Sequence, residues 1–220
     1  MASIALHICA PSEVDGARIA DIHLAAMDSN PLLHVQFPTP DSLARLRDYL
    51  EAYIIKELHD PTKGILVARL EDTREIISFV KWDHPTHGAD AGNEKLETGD
   101  IKEIEGCDPL YLERYAATAA TAKERYFGNN KCYSLSFVCT HPKYQGLDAG
   151  SMLTQEVIKR AAGENMPVYL ESTKAAVKMY EKLGFTKLGE FSLAIPGQGK
   201  DMDMCEVYEE TCMVRTPYLS

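Results

Sequence analysis

The sequence predicts a mixed α/β fold in which a mixed β-sheet is flanked by helices. β-rich segments alternate with amphipathic helical segments, residues 64–82 have the pattern of a β-hairpin, and residues 134–172 read as strand, loop, helix and strand. A hairpin joins antiparallel strands, whereas a helical crossover joins parallel ones. The sheet must therefore contain both arrangements, with the antiparallel strands first and the parallel crossover late.

The individual elements follow from hydrophobic periodicity and from residues that start or stop helices. Apolar residues three or four apart indicate helices, alternation indicates strands, and Gly, Pro, Asn and Asp mark the ends. In chain order the predicted elements are a strand at 3–9, a helix from Ser12 to Asn30, an irregular segment at 32–40, a helix from Asp41 to His59, strands at 64–70 and 76–82, a polar segment at 84–108, an alanine-rich helix at 110–126, a strand at 134–140, a loop and helix from Gln145, a strand at 167–172, a short helix ending at Phe185, and strands at 187–193 and 211–215.

The length and charge narrow the class of protein. A chain of 220 residues suits one domain, 1–220, with an acidic insertion and an extra helix at about 84–130. The net charge of −10 argues against a nucleic-acid partner, because phosphate backbones require basic surfaces. The acids cluster at 83–108 and 201–210, either as a solvated loop or as a rim that attracts a cationic amine.

The cysteines and the apolar runs indicate a cytoplasmic protein. The six cysteines show no C-x-x-C and no regular metal spacing, so we expect reduced thiols and no metal site. We see no N-terminal signal, and the longest apolar runs are too short to span a membrane.

A glycine-bearing loop stands between a predicted strand and a helix start, at Gln145-Gly146-Leu147-Asp148-Ala149-Gly150. Backbone N–H groups converge at such a loop, and the helix dipole adds positive potential. The loop therefore predicts a phosphate-binding site.

Two segments together carry a resemblance to a known family. The loop, with its lead-in Thr140-His141-Pro142-Lys143-Tyr144, is similar to the Arg/Gln-x-x-Gly-x-Gly/Ala loop of the GNAT superfamily of N-acetyltransferases. Tyr180-Glu181-Lys182-Leu183-Gly184-Phe185 resembles the tyrosine-bearing helix and Gly-Phe turn of the same family. The order of predicted elements matches over nearly the whole chain, and the insertion looks most like that of fungal members. The resemblance therefore implies a GNAT (acyl-CoA N-acyltransferase) fold.

The resemblance also implies a reaction, the transfer of an acetyl group from acetyl-CoA, as co-substrate, to a small-molecule amine. Tyr180 would be the general acid that protonates the leaving thiolate, since a phenol with a pKa of about 10 suits that task. Its alternative role is that of a core tyrosine. The residues implied to contact acetyl-CoA are Phe137, Val138 and Cys139 along pantetheine, Gln145, Gly146, Leu147, Asp148, Ala149, Gly150 and Ser151 at the pyrophosphate, and Ser172 after the second strand.

The general base and the acceptor pocket are less defined. The candidate bases are Glu171, His84 and His34, although a single histidine is more often a surface residue. Phe37 and Trp82, with His84, are candidates to line the acceptor pocket. Lys174, like Ser172, is a candidate contact for the cofactor or an ordinary solvated residue.

One residue conflicts with the resemblance. Asp148 stands where the family has its central glycine, and at about 4 Å an ionised carboxylate would repel a phosphate by about 4 kcal/mol at an effective dielectric of 20. Leu147 also replaces a basic residue. Either Asp148 turns outward and caps the helix, or its carboxylate occupies the anion site. The second case would describe a GNAT-fold binding module or repurposed enzyme that no longer uses acetyl-CoA in the usual way.

Overall fold

The computed structural model of the protein describes residues 5–85, 101–197 and 205–217. The helices are α1 (Gly16–Met27), α2 (Pro31–Gln36), α3 (Pro40–Leu58), α4 (Pro109–Tyr126), α5 (Ala149–Gly163) and α6 (Val177–Lys182). The strands are β1 (Leu6–Cys9), β2 (Lys63–Leu70), β3 (Ile76–Asp83), β4 (Tyr133–Thr140), β5 (Val168–Thr173), β6 (Thr186–Pro196) and β7 (Cys205–Arg215).

These strands form a sheet in the order β1-β2-β3-β4-β5-β7-β6. β4 and β5 are parallel, and the other neighbouring pairs are antiparallel. The crossover between β4 and β5 is made by α5, as a parallel connection requires. The predicted mixed α/β class is therefore confirmed.

Helices cover both sides of the sheet. We call the side covered by α1–α4 the front face and the side covered by α5 and α6 the back face. On the front face, α1 and α3 pack on β2–β4, whereas α2 and α4 pack on β6 and β7. On the back face, α5 packs across β2–β5. β5 therefore lies between the two groups of front-face helices.

The core of each face follows from the alternation of side chains along the strands. On β4, Leu135 and Val138 belong to the back-face cluster, whereas Phe137 and Cys139 belong to the front-face cluster. The register between β3 and β4 shifts at Lys81/Trp82, where an extra residue enters β4. This bulge at Ser136 interrupts the alternation and re-aims the side chains that follow.

Several predicted boundaries were wrong. Residues 32–40, predicted to be irregular, contain α2, because Pro31 occupies its first turn and the Asn30 side chain accepts a hydrogen bond from the Leu32 N–H at 2.9 Å. α3 begins before Asp41, with Thr39 as its cap. β6 and β7 are each longer than predicted, because they pair with one another along their length. Residues 1–4 and 86–100, with parts of the first strand and the polar segment, lie outside the described residues.

All six cysteines are free. Within the described ranges, no helix combines the length and the apolar character needed to cross a membrane.

Candidate active site

β4 and β5 separate in the middle of the sheet. They pair only from Tyr133↔Val168 to Leu135↔Leu170, so the side of β4 that faces β5 has no strand partner from Ser136 to Thr140 among the described residues. Backbone donors and acceptors along such an edge can pair with an extended ligand, as an added strand does. The predicted pantetheine residues, Phe137–Cys139, lie on this edge.

The glycine-bearing loop follows β4 directly and leaves its amides free. From Gly146 to Ser151, no backbone N–H donates to a backbone carbonyl of another described residue; the first such bond of α5 runs from Met152 N to Asp148 O at 2.9 Å. The first N–H groups of a helix have no partner within the helix, and here the preceding loop adds further ones. Gly146 permits this conformation with a φ of 82°. These amides form an anion-binding concavity at the end of β4.

Asp148 adopts the left-handed conformation that a glycine would take without strain. Its φ is 58° and its ψ is 11°, at the N-cap position of α5. Aspartate tolerates this region better than most residues, at a cost of about 1 kcal/mol. Its side chain is exposed and accepts no capping hydrogen bond. The structure therefore contains neither arrangement considered for Asp148. Its side chain does not cap the helix, and its carboxylate does not occupy the helix amides.

The other loop residues differ in whether their groups are free to contact a ligand. The Gln145 N–H donates to the Pro142 carbonyl at 3.3 Å, so this amide, expected at the pyrophosphate, is not free. Gly150 lies tight against β4, because a Cβ on it would stand 3.4 Å from Val138 Cγ1. Ser151 is half-buried in the first turn of α5.

A polar network holds the segment that leads into the loop. The Tyr144 hydroxyl donates to Glu75 Oε2 at 2.6 Å, and Arg18 donates to Glu75 Oε1 at 2.7 Å. Arg18 also donates to the Ile76 carbonyl at 3.0 Å. The loop is thereby attached to α1 and to the β2–β3 hairpin.

Tyr180 lies on α6 at the opening between β4 and β5. Its side chain is buried, and its ring meets Phe185 edge-on with centroids 5.5 Å apart. Burial, and then the Cys139 thiol, raise the pKa of the Tyr180 hydroxyl well above its usual value. The hydroxyl therefore keeps its proton at physiological pH and lies near the predicted thioester strand.

Two of the predicted pantetheine residues, Phe137 and Cys139, point to the front face. The Phe137 ring packs on His23, with centroids 4.5 Å apart, and beneath the Lys81 ammonium group at 5.8 Å. Lys81 is ion-paired with Glu57. Cys139 is buried, and burial raises the pKa of its thiol to about 12. Their side chains build the front wall of the opening, while their backbones form its edge.

Several other candidates lie apart from this opening. The Ser172 hydroxyl is buried and donates to the Thr173 carbonyl at 2.9 Å, and Lys174 pairs with Glu209. Of the candidate bases, His34 Nε2 lies 2.6 Å from the Asp28 carbonyl. His84 packs on Tyr133 at the start of β4, at the opposite end of that strand from the loop.

The predicted acceptor pocket of Phe37, Trp82 and His84 is wrong. Phe37, the residue directly after α2, is buried in the front-face core. Trp82 and His84 instead line a cavity of about 740 Å³ beside the end of β2 that β1 does not cover. These three residues therefore do not share one pocket.

Glu171 is the one candidate base at the opening. It is the first residue of β5 beyond the pairing with β4, and it points to the front face like Tyr169. Burial raises the pKa of its carboxyl, and Glu210 on β7 adds to the rise. Sequence reasoning missed the surrounding residues Glu210, Tyr115, Lys123 and Tyr169. For Glu210, the available signal was an acid directly before the β-rich run Thr211–Arg215.

Within the described part of the chain, no group of three or more His, Cys, Asp and Glu side chains is arranged to hold a metal ion. The site is thus an α/β cleft with free amides at one end, a buried tyrosine in the middle, and carboxylates on the front face.

The comparison with protein families identifies the class. A model described as the acetyltransferase (GNAT) family matches residues 30–185. The chain belongs to this family of acetyltransferases. The comparison with curated proteins finds no match.

Solved structures share the fold. A Corynebacterium glutamicum protein described as histone acetyltransferase HPA2 and related acetyltransferase is 23% identical, covers 99% of both chains and has a TM-score of 0.67. A mosquito arylalkylamine N-acetyltransferase like 5b is 14% identical over 96% of this chain and 100% of its own, with a TM-score of 0.65. A Drosophila melanogaster polyamine N-acetyltransferase that forms N-acetylagmatine is 15% identical over 96% and 100%, with a TM-score of 0.63. At these identities the likeness shows the fold alone.

Proposed function

We propose that the protein is an acetyl-CoA-dependent N-acetyltransferase that acts on a small-molecule amine. The observation that carries the proposal is the run of free N–H groups from Gly146 to Ser151, placed where β4 has just parted from β5. An anion site at the end of an open strand edge suits a ligand with a pyrophosphate and an extended, amide-containing arm.

The residues fit this co-substrate in three places. The loop amides, with the Ser151 hydroxyl, would hold the pyrophosphate. The free edge of β4 at Phe137–Cys139 would pair with the pantetheine amides. Ser172 is a weaker contact, because its hydroxyl is already engaged with Thr173. When bound, acetyl-CoA supplies an activated acetyl thioester, and this chain orients it for attack.

Tyr180 would protonate the leaving thiolate. Its buried hydroxyl keeps its proton, and the Cys139 thiol is close enough to raise the pKa of that hydroxyl, which supports a position beside the strand edge where the thioester would lie. A neutral donor that stays protonated until a thiolate forms next to it is suited to general-acid catalysis.

The acceptor class rests on two carboxyl groups and on the relatives. Glu171 and Glu210 are neighbours on the front face, and their oxygens can accept hydrogen bonds from an amine. The arylalkylamine and polyamine acetyltransferases among the structural relatives act on amines, which supports the same class here. Of the segment that resembles fungal members, residues 86–100 lie outside the described ranges, whereas its extra helix is α4.

A second candidate is a GNAT-fold protein that binds a small molecule or a protein without acetyl-CoA. Asp148 favours it, because an ionised carboxylate next to the anion site opposes a pyrophosphate. The exposed position of Asp148 favours the first candidate, because solvent screens an exposed charge.

Isothermal calorimetry with acetyl-CoA at low and moderate salt tests the proposal. We expect micromolar binding that weakens with salt, and no comparable binding of pantetheine, which lacks the pyrophosphate that the amides would hold. A panel of amines with detection of free thiol then tests turnover. The absence of binding at millimolar acetyl-CoA would contradict the proposal and favour the second candidate.

A further inference from the structure

A cavity of about 740 Å³ lies away from the anion loop, at the end of β2 that β1 does not cover. This volume is typical of a small-ligand site. Arg160, in the last turn of α5, lines the cavity and is about three helical turns, on the order of 16 Å, from Ala149, where α5 starts at the loop. The cavity is therefore distinct from the proposed acetyl-CoA site. Its lining comes from residues 10–14, 57–59 and 63–66, with Trp82, His84 and Arg160.

One wall of the cavity is a strand edge that β1 leaves open. β1 pairs with β2 only from Leu6↔Leu70 to Cys9↔Val67, so the same register, continued by two residues, would set Pro11 opposite Ile65. Pro11 has no N–H to donate, and the chain leaves the sheet there to form the short 3-10 helix Glu13–Asp15. The edge of β2 at Ile65 therefore has no partner strand among the described residues.

The backbone groups of Ile65 point to this open side. The bond from His84 N to Thr62 O at 2.8 Å fixes the alternation of the β2–β3 pair, in which Gly64 and Leu66 bond to β3 and Ile65 faces away from it. No backbone hydrogen bond joins Ile65 to another described residue on that side. Its N–H and C=O can therefore pair with an amide group of a ligand.

The cavity also holds one positive charge without a counter-ion. The other charged side chains in its lining are each engaged by a partner: Glu13 with His59, Glu57 with Lys81, and Lys63 with Asp83. The Arg160 guanidinium is exposed, lies 5.4 Å from the centroid of the Trp82 ring, and makes no ion pair with a described residue. Glu164, one turn further along the chain, instead accepts a hydrogen bond from the Tyr133 hydroxyl at 2.6 Å.

Trp82 supplies an independent sign of an incomplete polar site. Gly64 stands opposite Trp82 in the β2–β3 pair, and a Cβ on Gly64 would lie 2.0 Å from the indole, so only glycine lets the indole lie across β2 towards the open edge. Trp82 is 4% exposed, and its Nε1, which can only donate, has no hydrogen-bond partner among the described residues. Buried donors are nearly always satisfied, so an acceptor is missing here.

We propose that this cavity binds a small N-acylated amino acid, which combines a carboxylate, an amide and an apolar side chain. The carboxylate forms the two-pronged pair that the Arg160 guanidinium lacks, while the guanidinium stays stacked on Trp82. The amide pairs with the N–H and C=O of Ile65, as one residue of an added strand does. The apolar side chain contacts Pro11 and Leu58 in the cavity wall.

The charge of the cavity selects among ligand classes. A single unmatched cation beside apolar walls suits a monoanion better than a phosphate dianion. An amine has no unengaged acid to bind, because Glu13 and Glu57 are already paired. This inference goes beyond the proposed transfer reaction and does not depend on it.

Trp82 itself provides the measurement, because it is the only tryptophan of the chain. The probe is N-acetyl-leucine, which has all three groups and does not absorb where tryptophan is excited. We expect a saturable change in tryptophan emission. N-acetyl-leucinamide, which lacks the carboxylate, should bind about tenfold more weakly or worse, and 4-methylpentanoate, which lacks the amide, about threefold more weakly or worse.

Substitution of Arg160 tests the site directly. Arg160→Gln should weaken the binding of N-acetyl-leucine by about tenfold or more, and Arg160→Lys, which keeps the charge without the planar fork, by less. Lys159→Gln is the matched control, because it removes the same charge from the neighbouring exposed residue, which pairs with Glu156 at 2.6 Å. It should bind as wild type does. Calorimetry measures these affinities, because a change at Arg160 also alters the surroundings of the fluorescent indole.

The outcomes are separate from those of the acetyl-CoA experiments. No saturable change with millimolar N-acetyl-leucine, equal binding of N-acetyl-leucinamide, or unchanged affinity in Arg160→Gln overturns the proposal. Displacement of the probe by acetyl-CoA would place it in the cleft between β4 and β5 and would also overturn it. Binding that depends on Arg160 and persists with acetyl-CoA present supports the proposal, whether or not the protein transfers acetyl groups.

Discussion

The two ends of the cleft are polar for different physical reasons. At the loop, the polar groups are backbone N–H groups, and their arrangement depends on the conformation of residues 146–151 rather than on their side chains. At the front face, the polar groups are the carboxyls of Glu171 and Glu210, and the position of Glu210 depends on residues from several other elements. We expect the first arrangement to tolerate a substitution such as Asp148 as long as the left-handed conformation is kept, whereas the second should not tolerate the loss of either acid.

The two faces of the sheet also differ in the kind of polar side chain that they bury. The buried charged residues of the described chain belong to the front face or to its helices: Asp15, His23, Glu57, Lys81 and Glu210. On the back face, the buried polar residues carry hydroxyl groups, as Ser78, Thr154 and Ser172 do. The response of this protein to pH should therefore arise mainly from the front face.

Removal of the Tyr180 hydroxyl should have the largest effect, because Tyr180 lies between the two ends. We expect Tyr180→Phe to lower kcat by about 10²-fold or more while the Kd for acetyl-CoA stays unchanged. Stopped-flow or steady-state thiol release, with calorimetry for binding, measures both. Tyr144→Phe is the control, because it makes the same change at a residue that is not proposed to take part in the reaction. Full turnover in Tyr180→Phe would rule out the proposed acid.

The front-face histidine should make the protein less stable in acid. Burial, and then the Lys81 charge, lower the pKa of His23 to about 3. The unfolded state binds a proton near pH 6.5 and the folded state does not, so stability is complete above that pH and falls as the pH falls towards 3. Between pH 7 and 5 this group should remove about 2 kcal/mol from the free energy of unfolding.

Urea unfolding of His23→Leu at pH 7 and pH 5 measures this contribution. The variant should lose about 2 kcal/mol less than wild type between the two pH values. His59→Gln, a change at an exposed histidine, should behave as wild type. An unchanged pH dependence in His23→Leu would show that His23 titrates normally.

The charge of Asp148 should have a moderate effect on the anion site. Asp148→Asn removes the charge and retains a residue that tolerates the left-handed region, whereas Asp148→Gly also removes the backbone strain. We expect both to tighten acetyl-CoA binding, by up to about tenfold at low salt and less at high salt, because the side chain is exposed. Equal affinity in Asp148→Asn and wild type at low salt would refute the electrostatic argument.

Loss of the hydrogen bond that attaches the loop to the β2–β3 hairpin should have the smallest effect. Tyr144→Phe removes the hydrogen bond to Glu75 and should lower the free energy of unfolding by about 1 kcal/mol. It should weaken acetyl-CoA binding only a few-fold, since the amides themselves remain, and leave kcat unchanged. A large loss of kcat would place Tyr144 in the chemistry instead.

The elements that the sequence predicts well are those determined by local signals. Ser12 and Asp15 form the predicted capping interaction, with Ser12 N donating to Asp15 at 2.8 Å. α4 ends at Tyr126, and its C-cap, Phe127, directly precedes the predicted glycine. α2 was missed because a short helix has too few turns for periodicity to show, although Asn30-Pro31 is also a helix-start signal.

The residues of the candidate site also fall into those that local sequence signals predict and those that they do not. The sequence by itself determined the anion loop, because a strand, a glycine-bearing turn and a helix start lie next to one another in the chain and their amides need no distant partner. It also marked Tyr180 and Glu171 as candidates. Only the tertiary structure decided that Glu171, and not His84 or His34, stands at the opening, and that Glu210, Tyr115 and Lys123 surround it. The physical reason is that this site is assembled from β5, β7 and α4, whose register and packing depend on contacts between residues far apart in the sequence.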